Sequence, residues 1–388
     1  MRPHYFGVVF WGKEFRDFFT DFCLPSLLSP RNIPSLEKRP GNAFLICTTC
    51  EDWIQLQQHP IFQVLGAYIE PIFLEIQHPC DDESKMQAMS QGHKTIAGKM
   101  FEQNVYGSFI YPDTIFGDGA VAECQRLIQE GKKVVLAHCP RFANEGLLSE
   151  LKKLGLIKPG IPISLTGVEL IERAIPHMHS ETRRYEWAAP YFHAEAPSLV
   201  WWRLSDHGLL VYTQTWAPLV VDYGALKNHD TQTLDEWTID GDYIFRNFGQ
   251  SEDIYAEMNS DVMTLMSFTP ESKLTYLPLK RGNLVALPVI GTWYRRLCLR
   301  AYLSSPTIDQ LKRTLFRSPI FMGRLPDKKK ILQVQAEADE ILSDCLRPPS
   351  NIELRALYWL RILNDGVKQH LGFWIKRRPK LKKCLQWF

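Results

Sequence analysis

Over its first 140 residues the chain alternates short apolar runs, rich in β-branched and aromatic residues, with longer stretches of helical spacing. The runs Tyr5 to Trp11, Ala43 to Cys47, Ile69 to Ile76, Gly107 to Tyr111 and Lys133 to His138 predict five strands. Between them Glu14 to Leu28, Asp52 to Leu65, Ser84 to Gln103 and Ala120 to Gln129 carry a helical period, the first ending in the turn Ser29-Pro30-Arg31-Asn32-Ile33-Pro34. This βαβ rhythm predicts a mostly parallel, Rossmann-like sheet that binds nucleotides at the carboxyl ends of its strands.

From Asn144 to Trp187 the pattern turns helical, clearest at Leu148 to Leu154 and Gly167 to His177. Two strands, Leu199-Val200-Trp201-Trp202 and Leu209-Leu210-Val211-Tyr212, flank the turn Asp206-His207-Gly208, and strand signals recur at Trp237 to Phe245 and Asp261 to Phe268. This section is expected to pack as α+β structure on the edge of the first sheet. Pro306 onward shows three helical patterns, the longest Asn351 to Leu371. The expected division is residues 1–143 as a nucleotide-binding half, 144–300 as an acceptor-side part and 301–388 as a helical extension.

The 388 residues, 45% of them hydrophobic, are enough for a sizeable core, and there is no internal repeat. Net charge is only +2, yet residues 366–388 hold seven Lys and Arg with no acid, so the rest of the chain is acidic. That distribution leaves the body without a nucleic-acid-binding composition. Nine cysteines, an odd number, argue against a disulfide framework and for a reducing, cytoplasmic compartment. The apolar start at Tyr5 to Trp11 is cut off by Lys13, Glu14 and Arg16, short of a signal peptide, and nothing approaches the roughly 20 apolar residues of a membrane span.

In the loop Tyr111-Pro112-Asp113-Thr114-Ile115-Phe116-Gly117-Asp118-Gly119, Asp113 stands just beyond a buried strand. Mg²⁺ or Mn²⁺ takes carboxylate oxygens, and a diphosphate supplies more, so one or two acids at a strand end suffice. A plain Asp-Gly turn accounts for the same residues. In Thr238-Ile239-Asp240-Gly241-Asp242-Tyr243-Ile244 an extended backbone would bring Asp240 and Asp242 to one face, as a metal pair or as a base with its partner; a turn between strands is the alternative. Cys47-Thr48-Thr49-Cys50 has redox spacing without the second pair that a zinc site needs. GxGxxG, P-loop, HExxH and GxSxG motifs are absent. The tail 370–388 mixes aromatic and basic residues as a segment lying on an anionic bilayer does, or a solvated, frayed end.

The order of segments resembles a group of bacterial proteins assigned as glycosyltransferases with a GT-A-like fold. The likeness runs through Phe10-Trp11-Gly12, Leu24-Pro25-Ser26-Leu27-Leu28, Cys47-Thr48-Thr49, His93-Lys94, Pro112-Asp113, Gly117-Asp118-Gly119, Gly131 to Val135 and Arg141. It implies an α/β fold, a GT-A-like Rossmann-type mixed sheet flanked by helices, with an α+β acceptor part and a C-terminal helical extension. It further implies a nucleotide-sugar donor near Trp11, Gly12, Thr48, His93, Asp118 and Arg141, Asp113 as ligand of a divalent metal, and Asp240 and Asp242 on the acceptor side. Two positions depart from the group: Thr215-Trp216-Ala217-Pro218-Leu219 replaces a His-Leu-His-Pro-Leu segment, and Arg31 stands where Gly is more usual.

The expected function is sugar transfer from a nucleotide sugar to a glycan or lipid-linked acceptor, with Asp240 or Asp242 as base if the enzyme inverts. Trp201, Trp202 and Trp216 are candidate sugar platforms, although aromatics in strands are more often core. The alternatives are a non-catalytic carbohydrate-binding or scaffold protein, and a metal-dependent phosphotransferase or hydrolase. Expected partners are the donor, the acceptor and, through the tail, the inner face of a membrane, with no nucleic acid.

Overall fold

The computed structural model describes residues 2–36, 41–79, 84–194, 196–239, 241–249, 251–273, 284–306 and 308–362. Its strands are β1 His4–Val9, β2 Ala43–Thr48, β3 Glu70–Glu75, β4 Tyr106–Ile110, β5 Thr114–Phe116, β6 Val134–Ala137 and β7 Arg141–Ala143. They continue with β8 Leu199–Ser205, β9 Gly208–Thr213, β10 Ala217–Asp222, β11 Ile254–Ala256, β12 Leu265–Thr269 and β13 Ile320–Gly323. The main sheet has seven strands in the order β11-β6-β10-β4-β1-β2-β3. β1 pairs in parallel with β2 and β4, and β2 with β3, while β10 runs antiparallel between β4 and β6.

Both faces of this sheet are covered, so its inner strands read as continuous apolar runs; all six residues of β2 are buried. Alternation sends Val9, Leu45, Cys47, Phe109 and Leu136 into one core and Phe6, Val8, Phe44, Ile46 and Val135 into the other. Helix Lys85–Glu102 lies very close to the first face: a Cβ on Gly92 would come within 2.6 Å of Val9. Only glycine allows that approach, and it sets His93, the next residue, against the sheet. A three-stranded sheet, β5-β12-β7, stands above the carboxyl ends. A third core joins β13-β9-β8 to helices Pro288–Leu303 and Lys328–Cys345, around Trp202, Tyr212, Leu297, Phe316 and Leu342.

The mixed α/β architecture is as expected, with a helix-flanked Rossmann-type sheet. Several local expectations are corrected. The section after residue 144 does not only pack on the sheet edge: β10 enters the interior of the sheet and β11 closes its far end. Pro288–Leu303 packs in one core with Lys328–Cys345. The strand expected at Trp237 to Phe245 is instead helix Gly241–Asn247, because Ile239, Tyr243, Ile244 and Phe248 are the buried positions, a helical spacing. The helix expected at Asp52 to Leu65 is two helices, Cys50–Gln57 and Pro60–Gly66, divided where Pro60 restricts His59. None of the described helices is long and apolar enough to cross a membrane.

Candidate functional site

From β1 the chain winds outward through β2 to β3, then returns to place β4 on the other side of β1. The order therefore reverses between β1 and β4, and in open α/β sheets the crevice outside the carboxyl ends at such a reversal is where ligands bind. Trp11-Gly12 follow β1 and Tyr111-Pro112-Asp113 follow β4, so these segments flank the crevice.

Beside Gly12 a buried acid organises the ends of β1 and β2. Asp52 accepts the Gly12 N–H at 2.7 Å, the Thr49 hydroxyl at 2.9 Å and Arg16 Nη1 at 2.8 Å. Thr49 in turn caps helix Cys50–Gln57 by accepting the Asp52 N–H. Neither Asp52 nor Arg16 was singled out from the sequence, since 36 residues separate them and no local pattern marks the pair. Thr48 is fully buried, and its hydroxyl has no hydrogen-bond partner among the described residues. Alternation puts it on the face of Phe44 and Ile46, in the core beside the crevice.

Asp113 is held differently. Asp113 is half-buried, and burial raises its carboxyl pKa from the ordinary value, opposed by the charge of Arg141 and by its own backbone N–H. The Asp113 carbonyl accepts the Phe268 N–H at 2.9 Å, fixing the loop to β12, whose Ser267 lies opposite Arg141 of β7. Cys23 and Cys139 also border this carboxylate, and burial pushes both thiols up, Cys139 to about 12. They are neutral neighbours there, not thiolate ligands. Among the described residues no three His, Cys, Asp or Glu side chains come together as a metal site. A divalent ion at Asp113 thus fits only as one carboxylate completed by ligand oxygens and water.

Asp118 is engaged elsewhere. Its carboxylate accepts the Arg31 N–H at 2.8 Å and the Ser164 hydroxyl at 3.4 Å. Next to it Asn32 donates to the carbonyls of Ser26 and Gly117 and to the Ser29 hydroxyl, and accepts the N–H groups of Gly119 and Val121. Ser26 Oγ accepts the Phe116 N–H. The Leu-Pro-Ser-Leu-Leu turn and the Asp-Gly end of the acidic loop therefore form one hydrogen-bonded unit. Gly119 starts helix Ala120–Gln129 with φ +110°, which a side chain would strain.

His93 and Tyr111 reach across to the second acidic segment. Nδ1 of His93 accepts the Ile239 N–H at 3.3 Å, and the Tyr111 hydroxyl donates to the Ile239 carbonyl at 3.0 Å. Burial lowers the His93 pKa to about 4, so the ring is neutral and its Nδ1 is free to accept. Asp240, the next residue, lies outside the described residues. Asp242 lies in the first turn of helix Gly241–Asn247 and pairs with Lys312 at 2.6 Å, so the segment is helical from Gly241 onward where an extended backbone was expected. Trp237, two residues before Ile239, exposes its indole and was missed in the sequence, where it looked like a strand residue.

Trp201, Trp202 and Trp216 are buried; Trp201 donates its ring N–H to the Thr182 carbonyl and Trp202 stacks on Trp187. They are core residues, not sugar platforms. Cys47 is buried in β2 with its thiol pushed up to about 12, while Cys50 is exposed at a helix start, which leaves no two-cysteine site.

No family model matches the sequence, and no curated protein matches it. Among solved structures the chain is similar to Staphylococcus aureus TarS at 11% identity and a TM-score of 0.26, over 36% of this chain and 22% of that one. It is also similar to a Bacillus anthracis protein described as a candidate glucose-1-phosphate thymidylyltransferase, in complex with a sucrose. There the identity is 10% and the TM-score 0.22, over 37% of this chain and 57% of that one. The chain thus spans about a fifth of the length of the first and over half of the second, and neither likeness bears on what it does.

Proposed function

We propose that the chain is a nucleotide-sugar-dependent glycosyltransferase of GT-A-like architecture whose donor diphosphate sits between the ends of β1 and β4. The observation that carries this is Asp113: a half-buried carboxylate at the reversal of strand order, with Arg141 as its charged neighbour. Perturbed acids in such crevices are candidates for chemistry. In this reading Asp113 anchors a Mn²⁺ or Mg²⁺ ion that offsets diphosphate charge, and Arg141 supplies further positive charge to the leaving group. Trp11 and Gly12 bound the nucleotide side. Asp118 and Asp52 shape the loops, and His93 with Tyr111 positions the chain next to Asp240, which we assign to the acceptor side. The acceptor is a glycan or a lipid-linked sugar, and the exposed Trp237 indole is the face offered to it.

The test is thermal shift against UDP, GDP, CMP and dTDP sugars with and without Mn²⁺, followed by donor turnover. One donor should raise the melting temperature in a metal-dependent way. Asp113→Asn should remove that shift and lower turnover about 10³-fold, roughly 4 kcal/mol of transition-state stabilisation. Indifference to every nucleotide sugar would overturn the proposal; a shift without metal would overturn the role given to Asp113.

A further inference from the structure

Exposed apolar side chains gather at one end of the third core. Helix Pro288–Leu303 and the helix at 351–362 run antiparallel there: the Tyr294 hydroxyl bonds Arg361, while Arg300, further along, pairs with Glu353. The first turns of one helix therefore sit beside the last turns of the other. Val289, Ile290 and Trp293 on the first, and Tyr358, Trp359 and Ile362 on the second, are all exposed, Val289 by 82%, Tyr358 by 62% and Trp359 by 61%. The same helices bury Leu297, Leu303 and Leu357 in the core. Both are thus apolar on the packed side and again on the outward side, where a solvated helix is normally polar. Exposed apolar side chains gathered in this way mark a docking face.

Charge identifies the occupant. Arg355 and Arg361 are exposed on the second helix. The described chain ends at Ile362, on this face, and continues into residues 366–388, with seven Lys and Arg, four aromatics and no acid. A second copy, or the chain's own tail laid over the face, would bring like charges together. An anionic bilayer instead accepts aromatic and aliphatic groups in its headgroup layer and cations at its surface. We propose that this end of the molecule docks on an anionic lipid surface, with Trp293 and Trp359 at its centre.

The experiment is co-sedimentation of the full chain with phosphatidylcholine vesicles, with and without phosphatidylglycerol. Binding should need the anionic lipid and weaken with salt. Val289→Ser/Trp293→Ser/Trp359→Ser should bind at least about tenfold more weakly, whereas Trp293→Phe/Trp359→Phe should bind as the parent does. Arg355→Glu, an exposed change that spares folding, should also weaken binding, so the test survives if the triple variant is unstable. Equal binding to neutral vesicles, unchanged binding of Arg355→Glu, or a dimer lost in the triple variant without any vesicle binding would each overturn the proposal.

Discussion

Two acids stand on either side of the end of β1, after β2 and after β4, and the protein treats them in opposite ways. Asp52 receives a backbone N–H, a hydroxyl and a guanidinium, so its charge is met on every side. Asp113 stands in desolvating surroundings with one charged neighbour and its own N–H. Satisfied buried acids are scaffold; an acid kept in such surroundings at a strand-order reversal carries a standing energetic cost that binding of a cationic ligand would relieve. The neighbouring Asp118 belongs with Asp52, since its acceptor capacity goes to the Arg31 turn.

The contrast breaks most visibly at Asp52. Asp52→Ala should cost about 3 kcal/mol, because it leaves Arg16 and the Gly12 N–H without their partner; a denaturant midpoint within error of the parent would put Asp52 on the same footing as Asp113. Asn32→Ala removes five hydrogen bonds that join the Leu-Pro-Ser-Leu-Leu turn to the acidic loop, and should cost about 2 kcal/mol by the same measurement. Asp113→Asn should stabilise the fold at neutral pH. A carboxyl whose folded pKa is raised favours folding fully below its unfolded pKa, and that contribution is lost as pH rises through the folded value. Urea titrations should therefore show parent and Asp113→Asn diverging as pH rises through the carboxylate range, the variant becoming the more stable. Smallest of all, Asp242→Asn should change stability by no more than about 0.5 kcal/mol, since its pairing with Lys312 is at the surface.

Buried histidines add a pH window of their own. His4, His93 and His138 are each lowered to about 4 by burial, so their neutral forms stabilise the fold above the usual histidine range. That contribution should fade as pH falls from about 6.5 toward 4, with the melting temperature dropping in step.

β1 to β4, β6 and the place of Asp113 were legible because each lies in a run whose periodicity is local. β10 was not. Pro218 sits inside it, and proline argues against a central strand; the structure accommodates it with a register shift between Pro218 and Val220. Helix Gly241–Asn247 was hidden because apolar residues crowd both its faces, and only burial separates the helical set from the alternating one. The Asp52 cluster, the Asn32 unit and the His93–Tyr111 grip on Ile239 join residues far apart in the chain, where no spacing rule reaches.

The position of β10 also has a consequence for how the chain is made. Among the described residues β6 bonds only to β10 and β11, so in a growing polypeptide it gains a described sheet neighbour when residues 217–222 have left the ribosome. Until then β4 and β6 both present open backbone edges, the kind that recruit other chains. A fragment ending near residue 143 should therefore misassemble, and folding of the sheet should wait on a long closure that pairs Ala137 with Ala217 and Val134 with Val221.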